Sequence, residues 1–143
     1  MALNILIVDD SKVMRTMVLK TLSMSGVQIS NGYEANNGKE GLEILSENWI
    51  DLVIVDINMP VMNGEEMIEH MKANEETRDI PTIVISTEGS ETRIARLLEK
   101  GVDFIRKPFS PEIIRDKISN IINIDANIAE EENNHDDDEF EGL

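Results

Sequence analysis

Cysteine is absent from this chain of 143 residues, which excludes both a disulfide framework and a thiolate metal site. Aromatic residues are few, one Trp, one Tyr and three Phe. Packing therefore falls to aliphatic side chains and to eight methionines, which read as core filler. Positive charge is also scarce: 13 Lys and Arg stand against 29 Asp and Glu, a net charge of −16. A chain so acidic lacks the basic surface that phosphate neutralisation demands, so nucleic acid is excluded as a direct ligand. No apolar run exceeds four residues, far short of the roughly 18 needed to span a bilayer. The first residues have no basic stretch leading into an apolar segment, so no secretory signal is expected.

What remains is a chain 41% apolar and 29% charged, ordinary values for a globular domain large enough for one core. Its acidity is uneven. Residues 125–143 hold nine acids and no Lys or Arg, which leaves a balance of −7 over residues 1–124. The expected organisation is a domain over 1–124 followed by an acidic, disordered and solubilising tail over 125–143. A monomeric, cytoplasmic protein fits these features.

Along the chain, short apolar runs alternate with helical periodicity, the pattern of βα units on a parallel sheet. Strands are predicted at 4–8, about 33–36, 52–56, 81–86 and 102–106. The second is the shortest reading, because Val27 to Gly32 is polar and turn-rich. Helix one follows Ser11 as N-cap, turns Met14, Met17, Val18 and Leu22 to one face, and ends at Gly26. Helix two starts near Gly38 and packs Leu42 and Leu45; helix three starts near Gly64 and buries Met67, Ile68 and Met71. Helix four runs from about Ser90 to Lys100 with Ile94, Leu97 and Leu98 inward. Helix five follows Ser110-Pro111 and uses Ile114, Ile118, Ile121 and Ile122. Trp49 is expected to cap the corner between helix two and strand three. Five strands and five helices in strict alternation, with right-handed crossovers, predict a flavodoxin-like (βα)5 doubly wound sandwich of strand order 2-1-3-4-5.

Chemistry gathers at the C-terminal ends of those strands, where open α/β sheets bind their ligands. Ile5-Leu6-Ile7-Val8 ends in Asp9-Asp10, and Leu52-Val53-Ile54-Val55 ends in Asp56. Ser86 ends strand four, and Lys107 follows strand five. Three carboxylates about 5 Å apart repel by roughly 3 kcal/mol per pair at an effective dielectric near 20. Such a cluster requires a cation, and an all-oxygen donor set without His or Cys suits Mg²⁺. Asp56 can then serve as a carboxylate nucleophile that accepts a phosphoryl group, with Lys107 as a point charge and Ser86 as a hydroxyl donor.

The stretches LIVDDS, VDINMPVMNG, IVIST and FIRKPF resemble the receiver domain of two-component response regulators over about residues 3–123, nearly everything but the tail. The resemblance implies Asp56 as the phospho-accepting aspartate and Asp9 and Asp10 as the acidic pair that organises Mg²⁺. It implies the Asn58 backbone carbonyl as a further ligand, Ser86 as the switch hydroxyl and Lys107 as the conserved-type lysine before a cis proline. Phe104 falls at the aromatic switch position, and Ile94, Phe104 and Arg106 become candidates for a partner-binding face. No effector domain is expected after helix five, so the chain is similar to stand-alone receivers of the CheY chemotaxis type. The implied partners are a CheA-like histidine kinase as phosphodonor and a downstream protein such as a flagellar motor switch or a phosphatase. Asn58 and Glu88 would tune dephosphorylation by orienting water. Phe104 departs from the tyrosine usual in motor-binding receivers and lacks its hydroxyl. A phosphorelay intermediate or phosphate sink is the alternative within the same family.

Other patterns lead elsewhere and stop. Gly32 to Lys39 imitates a phosphate-binding P-loop but has five residues between its glycines instead of four, and Glu40 stands where Ser or Thr would bind Mg²⁺. His70 has no Ser or Cys nucleophile in its vicinity and reads as a surface residue of helix three. A small Mg²⁺-dependent phosphatase with an aspartyl-phosphate intermediate would want an acid where Asn58 stands. An FMN carrier would share the topology, but Asp9 and Asp10 would repel the ligand phosphate.

Overall fold

Three of the strands are apolar on both faces because both faces are covered. The computed structural model describes residues 2–87 and 89–121. Its order is β1 (Leu3–Val8), α1 (Lys12–Met24), β2 (Ile29–Ala35), α2 (Gly38–Glu47), β3 (Leu52–Val55), α3 (Gly64–Ala73), β4 (Thr82–Ser86), α4 (Glu91–Glu99) and β5 (Asp103–Arg106). A fifth helix, α5, is described over 111–121. All five strands are parallel in one sheet of order β2-β1-β3-β4-β5, the flavodoxin-like arrangement expected.

The period of two along each strand divides the core. Leu6, Val8, Val53, Val55 and Val84 face Leu45 of α2, Met67, Ile68 and Met71 of α3, and Leu97 of α4. Ile5, Ile7, Ile54, Ile83, Ile85 and Ile105 face Val18 and Leu22 of α1 and Ile114 and Ile118 of α5. Each described helix starts on a short polar side chain that accepts a main-chain N–H: Ser11 from Met14, Asn37 from Glu40, Asn63 from Glu66, Ser90 from Arg93 and Ser110 from Ile113. Gly26 and Gly101 adopt φ of 88° and 82° just beyond α1 and α4, where a side chain would be strained.

Some expectations change. The second strand begins at Ile29, four residues before the predicted start. It lies at the sheet edge and pairs only with β1, so its polar residues stay in water while its backbone completes the ladder. Met17 and Leu98, read as inward, are 50% and 51% exposed. Arg15 takes the buried place on α1 beside Val18 and Leu22, and Leu97 is the buried residue of α4. Trp49, expected to cap the corner between α2 and β3, stays 80% exposed there, and its indole N–H donates to Asp51 Oδ1 at 3.1 Å. His70 is exposed on α3, as expected. Ile122 and the acidic tail lie outside the described residues.

Candidate functional site

The sheet register brings the chemical residues to one rim. Val8 pairs with Val55, Val55 with Val84 and Ser86 with Arg106. Asp9, Asp56, Ser86 and Lys107 therefore leave neighbouring strands at similar heights. The ladder extends one residue past the strands: Asp9 N–H donates to Ala35 O at 3.1 Å, Asp56 N–H to Val8 O at 2.9 Å and Lys107 N–H to Ser86 O at 2.9 Å. Those bonds hold the three backbones while the chain turns into loops.

Asp9, Asp10 and Asp56 each offer a carboxylate oxygen, and these oxygens lie within 4.8 Å of one another. Asp9 is buried, Asp56 half-buried and Asp10 exposed, so the cluster opens to solvent on the Asp10 side. Lys107 Nζ lies 3.5 Å from Asp9 Oδ2 and 3.8 Å from Asp56 Oδ2. These are ion-pair distances too long for good hydrogen bonds. Asp56 Oδ1 accepts the Ile57 N–H at 2.8 Å, and Asp9 Oδ1 accepts the Ser11 N–H at 2.9 Å. Burial pushes the Asp9 carboxyl above its ordinary value of 3.8; the Ser11 N–H and the Lys107 ammonium draw it back, while Asp56 and Asp10 push it further up.

The loop from Asp56 into α3 passes very close to its own start. Gly64 N–H donates to Ile57 O at 2.9 Å, and a side chain at Gly64 would collide with the Asp56 carbonyl. Only glycine lets α3 begin there. Val61, with φ of 67°, is the one non-glycine residue in the left-handed region among the described residues. A β-branched side chain there carries local strain beside the acidic cluster. Asn58 is exposed on this loop, two residues beyond Asp56.

Ser86 is fully buried at the last position of β4. Val84 and Phe104 are partners across β4 and β5, and both belong to the core under α4. By strand parity, Ser86 and Phe104 share that side of the sheet. Ile94 is half-buried on α4, and Arg106 is exposed at the end of β5. The Lys107–Pro108 peptide is cis, as the resemblance implies. Glu88 lies outside the described residues.

A response regulator receiver domain profile matches residues 5–119. The chain belongs to the response regulator receiver domain family. Receiver domains act as signalling switches and bind Mg²⁺ at an acidic cluster, and Asp9, Asp10 and Asp56 form such a cluster here. The receiver is 34% identical to a chemotaxis protein CheY homolog of Campylobacter jejuni, over 84% of this chain and 92% of the relative. The structure of Vibrio cholerae chemotaxis protein CheY4 superposes with a TM-score of 0.73 at 29% identity, covering 84% of this chain and 98% of that one. A CheX–CheY complex with BeF₃ and Mg²⁺ from Borrelia burgdorferi gives a TM-score of 0.75 at 27% identity, over 84% of this receiver and 89% of the matched chain. No helix among the described residues is long and apolar enough to cross a membrane.

Arg15 has no counterpart among the sequence expectations. It carries the one buried guanidinium among the described residues, and its side chain reaches the Asp9 carbonyl, Asn36 and Glu34. Its spacing of three and seven residues from Val18 and Leu22 is the signal that points to it. A face drawn through apolar residues alone passes it by.

Proposed function

We propose that this receiver accepts a phosphoryl group on Asp56 from the phosphohistidine of a histidine kinase, with Mg²⁺, and thereby switches a protein-binding face. The convergence of three carboxylates within 4.8 Å, with Lys107 between two of them, carries this reading. The donor set is all oxygen and open on one side, which fits a hard, partly hydrated cation. Asp10, Asp56 and the Asn58 carbonyl would hold it, and Asp9 would orient the set. When bound, Mg²⁺ supplies charge neutralisation to the transferring group.

The remaining steps belong to the chain. One Asp56 carboxylate oxygen attacks phosphorus, an oxygen–phosphorus bond forms, and the donor's phosphorus–nitrogen bond breaks with its electron pair leaving on the imidazole. Lys107, whose ion pairs are long, has protons available for a phosphoryl oxygen. The roughly two negative charges added to Asp56 draw the Ser86 hydroxyl toward them. Ser86 and Phe104 share one side of the sheet, so movement of the first frees space for the ring of the second. Ile94, Phe104 and Arg106 then present a different surface, a two-state bias set by local contacts. Asn58 and Glu88 would set the rate at which water reverses the ester.

The CheY relatives support a chemotaxis pathway, a CheA-like donor and a cytoplasmic site of action. In this reading the downstream partner is a flagellar motor switch or a phosphatase, and the chain acts as a monomer. The functional unit is residues 1–124, with the acidic tail of 125–143 outside it. A phosphorelay or phosphate-sink role is the second reading. Phe104 favours it, because its ring has no hydroxyl to donate to a motor component.

Incubation with acetyl phosphate and Mg²⁺, followed by intact-mass measurement, should add one phosphoryl group to the wild type and none to Asp56→Asn. An unmodified wild type beside a reacting control receiver would refute the assignment.

A further inference from the structure

Arg15 is 7% exposed, on the same buried stripe of α1 as Val18 and Leu22. An aliphatic side chain would bury there at less cost, since a buried ion pair is a weak source of stability. Where its donors go suggests another reason for a guanidinium. Nη1 donates to the Asp9 carbonyl at 2.6 Å and to Asn36 Oδ1 at 2.9 Å, and Nε donates to Glu34 Oε1 at 2.9 Å. The Asp9 carbonyl belongs to the peptide that joins Asp9 to Asp10. With the Asp9 N–H already on Ala35 O, both sides of the Asp9 backbone are held.

The bonds continue past Asn36. Its N–H and Nδ2 donate to Glu40 Oε1 at 3.4 and 3.2 Å, and Asn37 Nδ2 donates to Glu40 Oε2 at 3.1 Å. Gly38 N–H, next in the chain, donates to Met62 O at 2.9 Å. Met62 lies on the loop that leaves Asp56. A single polar chain therefore ties the loop of the acidic pair to the loop of the third carboxylate, and Arg15 is the member that touches the pair.

We propose that Arg15 is a positioning residue for the metal site: it fixes the Asp9–Asp10 peptide so that both carboxylates converge on Asp56, and so raises Mg²⁺ affinity without contacting the ion. This rests on the reading of the Asp9, Asp10 and Asp56 cluster as the Mg²⁺ site. Removal of the partners that orient metal ligands commonly weakens metal binding by about 10–100-fold.

The test is MgCl₂ titration of the full chain by calorimetry, paired with acetyl phosphate phosphorylation rates across Mg²⁺ concentrations. Arg15→Gln should bind Mg²⁺ about tenfold or more weakly and need correspondingly more Mg²⁺ for half-maximal rate, while its rate at saturating Mg²⁺ stays near wild type. Arg15→Lys, with one charged donor for the Asp9 carbonyl, should recover part of the affinity. Glu34→Gln, which keeps Arg15 on Asp9, should lose less than Arg15→Gln. If Arg15→Gln does not fold, the Lys and Glu34 variants carry the test in the same directions. Equal affinities in wild type and all variants would overturn the proposal. So would a lowered maximal rate at unchanged half-saturation, which is the mark of a merely structural residue. A wild type that takes up no Mg²⁺ overturns the reading of the site itself, and the two failures are thereby told apart.

Discussion

Burial drives the Asp9 carboxyl toward its neutral form, and its two acidic neighbours push the same way. A folded-state pKa above the ordinary 3.8 means that Asp9's favourable contribution is complete below that value and is lost as pH rises through the folded value. At neutral pH, the ionised group is a net cost to the metal-free fold. Two carboxylates about 5 Å apart repel by roughly 3 kcal/mol at an effective dielectric near 20, and loss of the Lys107 pair offsets part of what removing one would gain. Asp9→Asn can still accept the Ser11 N–H. It should therefore melt higher than the wild type at pH 7 without Mg²⁺, by about 1 kcal/mol or a few degrees. The difference should shrink as pH falls toward 3.8. A lower melting point for Asp9→Asn at pH 7 in chelator would contradict this account. The same residue shows what a sequence reveals of a site. Asp9, Asp56 and Ser86 were legible because each ends an apolar run, and Lys107 because it stands just beyond the fifth strand. Arg15 was not, because its burial depends on bonds to the Asp9 carbonyl, to Glu34 of β2 and to Asn36 just beyond it, which local patterning does not encode.

Among the elements, α4 is the least secured. Leu97 is its buried anchor, Ile94 is half-buried and Leu98 faces solvent. Charge pairs to α3 supplement that packing: Glu65 meets Arg93 Nε at 3.2 Å and Arg96 Nη2 at 3.1 Å, and Lys100 reaches Glu69 at 3.4 Å. Glu65 is well covered, so its pairs are screened less than open surface pairs, yet each remains worth about 1 kcal/mol at most. Glu65→Gln should raise hydrogen exchange across residues 91–99 by roughly fivefold, the equivalent of about 1 kcal/mol, with the strand amides unchanged. High salt should mimic it in the wild type. Equal protection of α4 in both proteins would show that packing alone holds the helix. Element type was legible for β1, β3 and β4, which are buried on both faces, and for β5, whose Phe104 and Ile105 pack to opposite sides. The start of β2 was not, since an edge strand pairs through its backbone while Ser30, Asn31 and Gly32 remain exposed. On α4, the amphipathic pattern identified the helix but overstated how much of its apolar side is covered.

For the whole molecule, charge is the dominant fact. Deletion of residues 125–143 removes nine carboxylates and lowers the formal charge from −16 to −7. If the functional unit ends at 124, the shortened chain should melt within about 2 °C of the full one, since a shift of that size is well under 1 kcal/mol. Acetyl phosphate is an anion, and at ionic strength near 0.01 M the Debye length of about 30 Å lets distant carboxylates repel it. The shortened chain should therefore react about twice as fast in low salt and at the same rate in 0.5 M salt. A melting point lower by more than about 5 °C would make the segment part of the fold.

Trp49 precedes β3, and its carbonyl accepts the Asn4 side-chain amide at 3.0 Å, which puts it at the rim where strands begin. At about 3.3 Å per strand residue, the acidic rim is roughly 15–20 Å away. The molecule's single indole fluorophore is thus optically remote from the chemistry, and its emission should stay silent when an ion or phosphoryl group arrives. Kinetic work on this chain needs a reporter dye introduced beside Asp56 or a label-free readout.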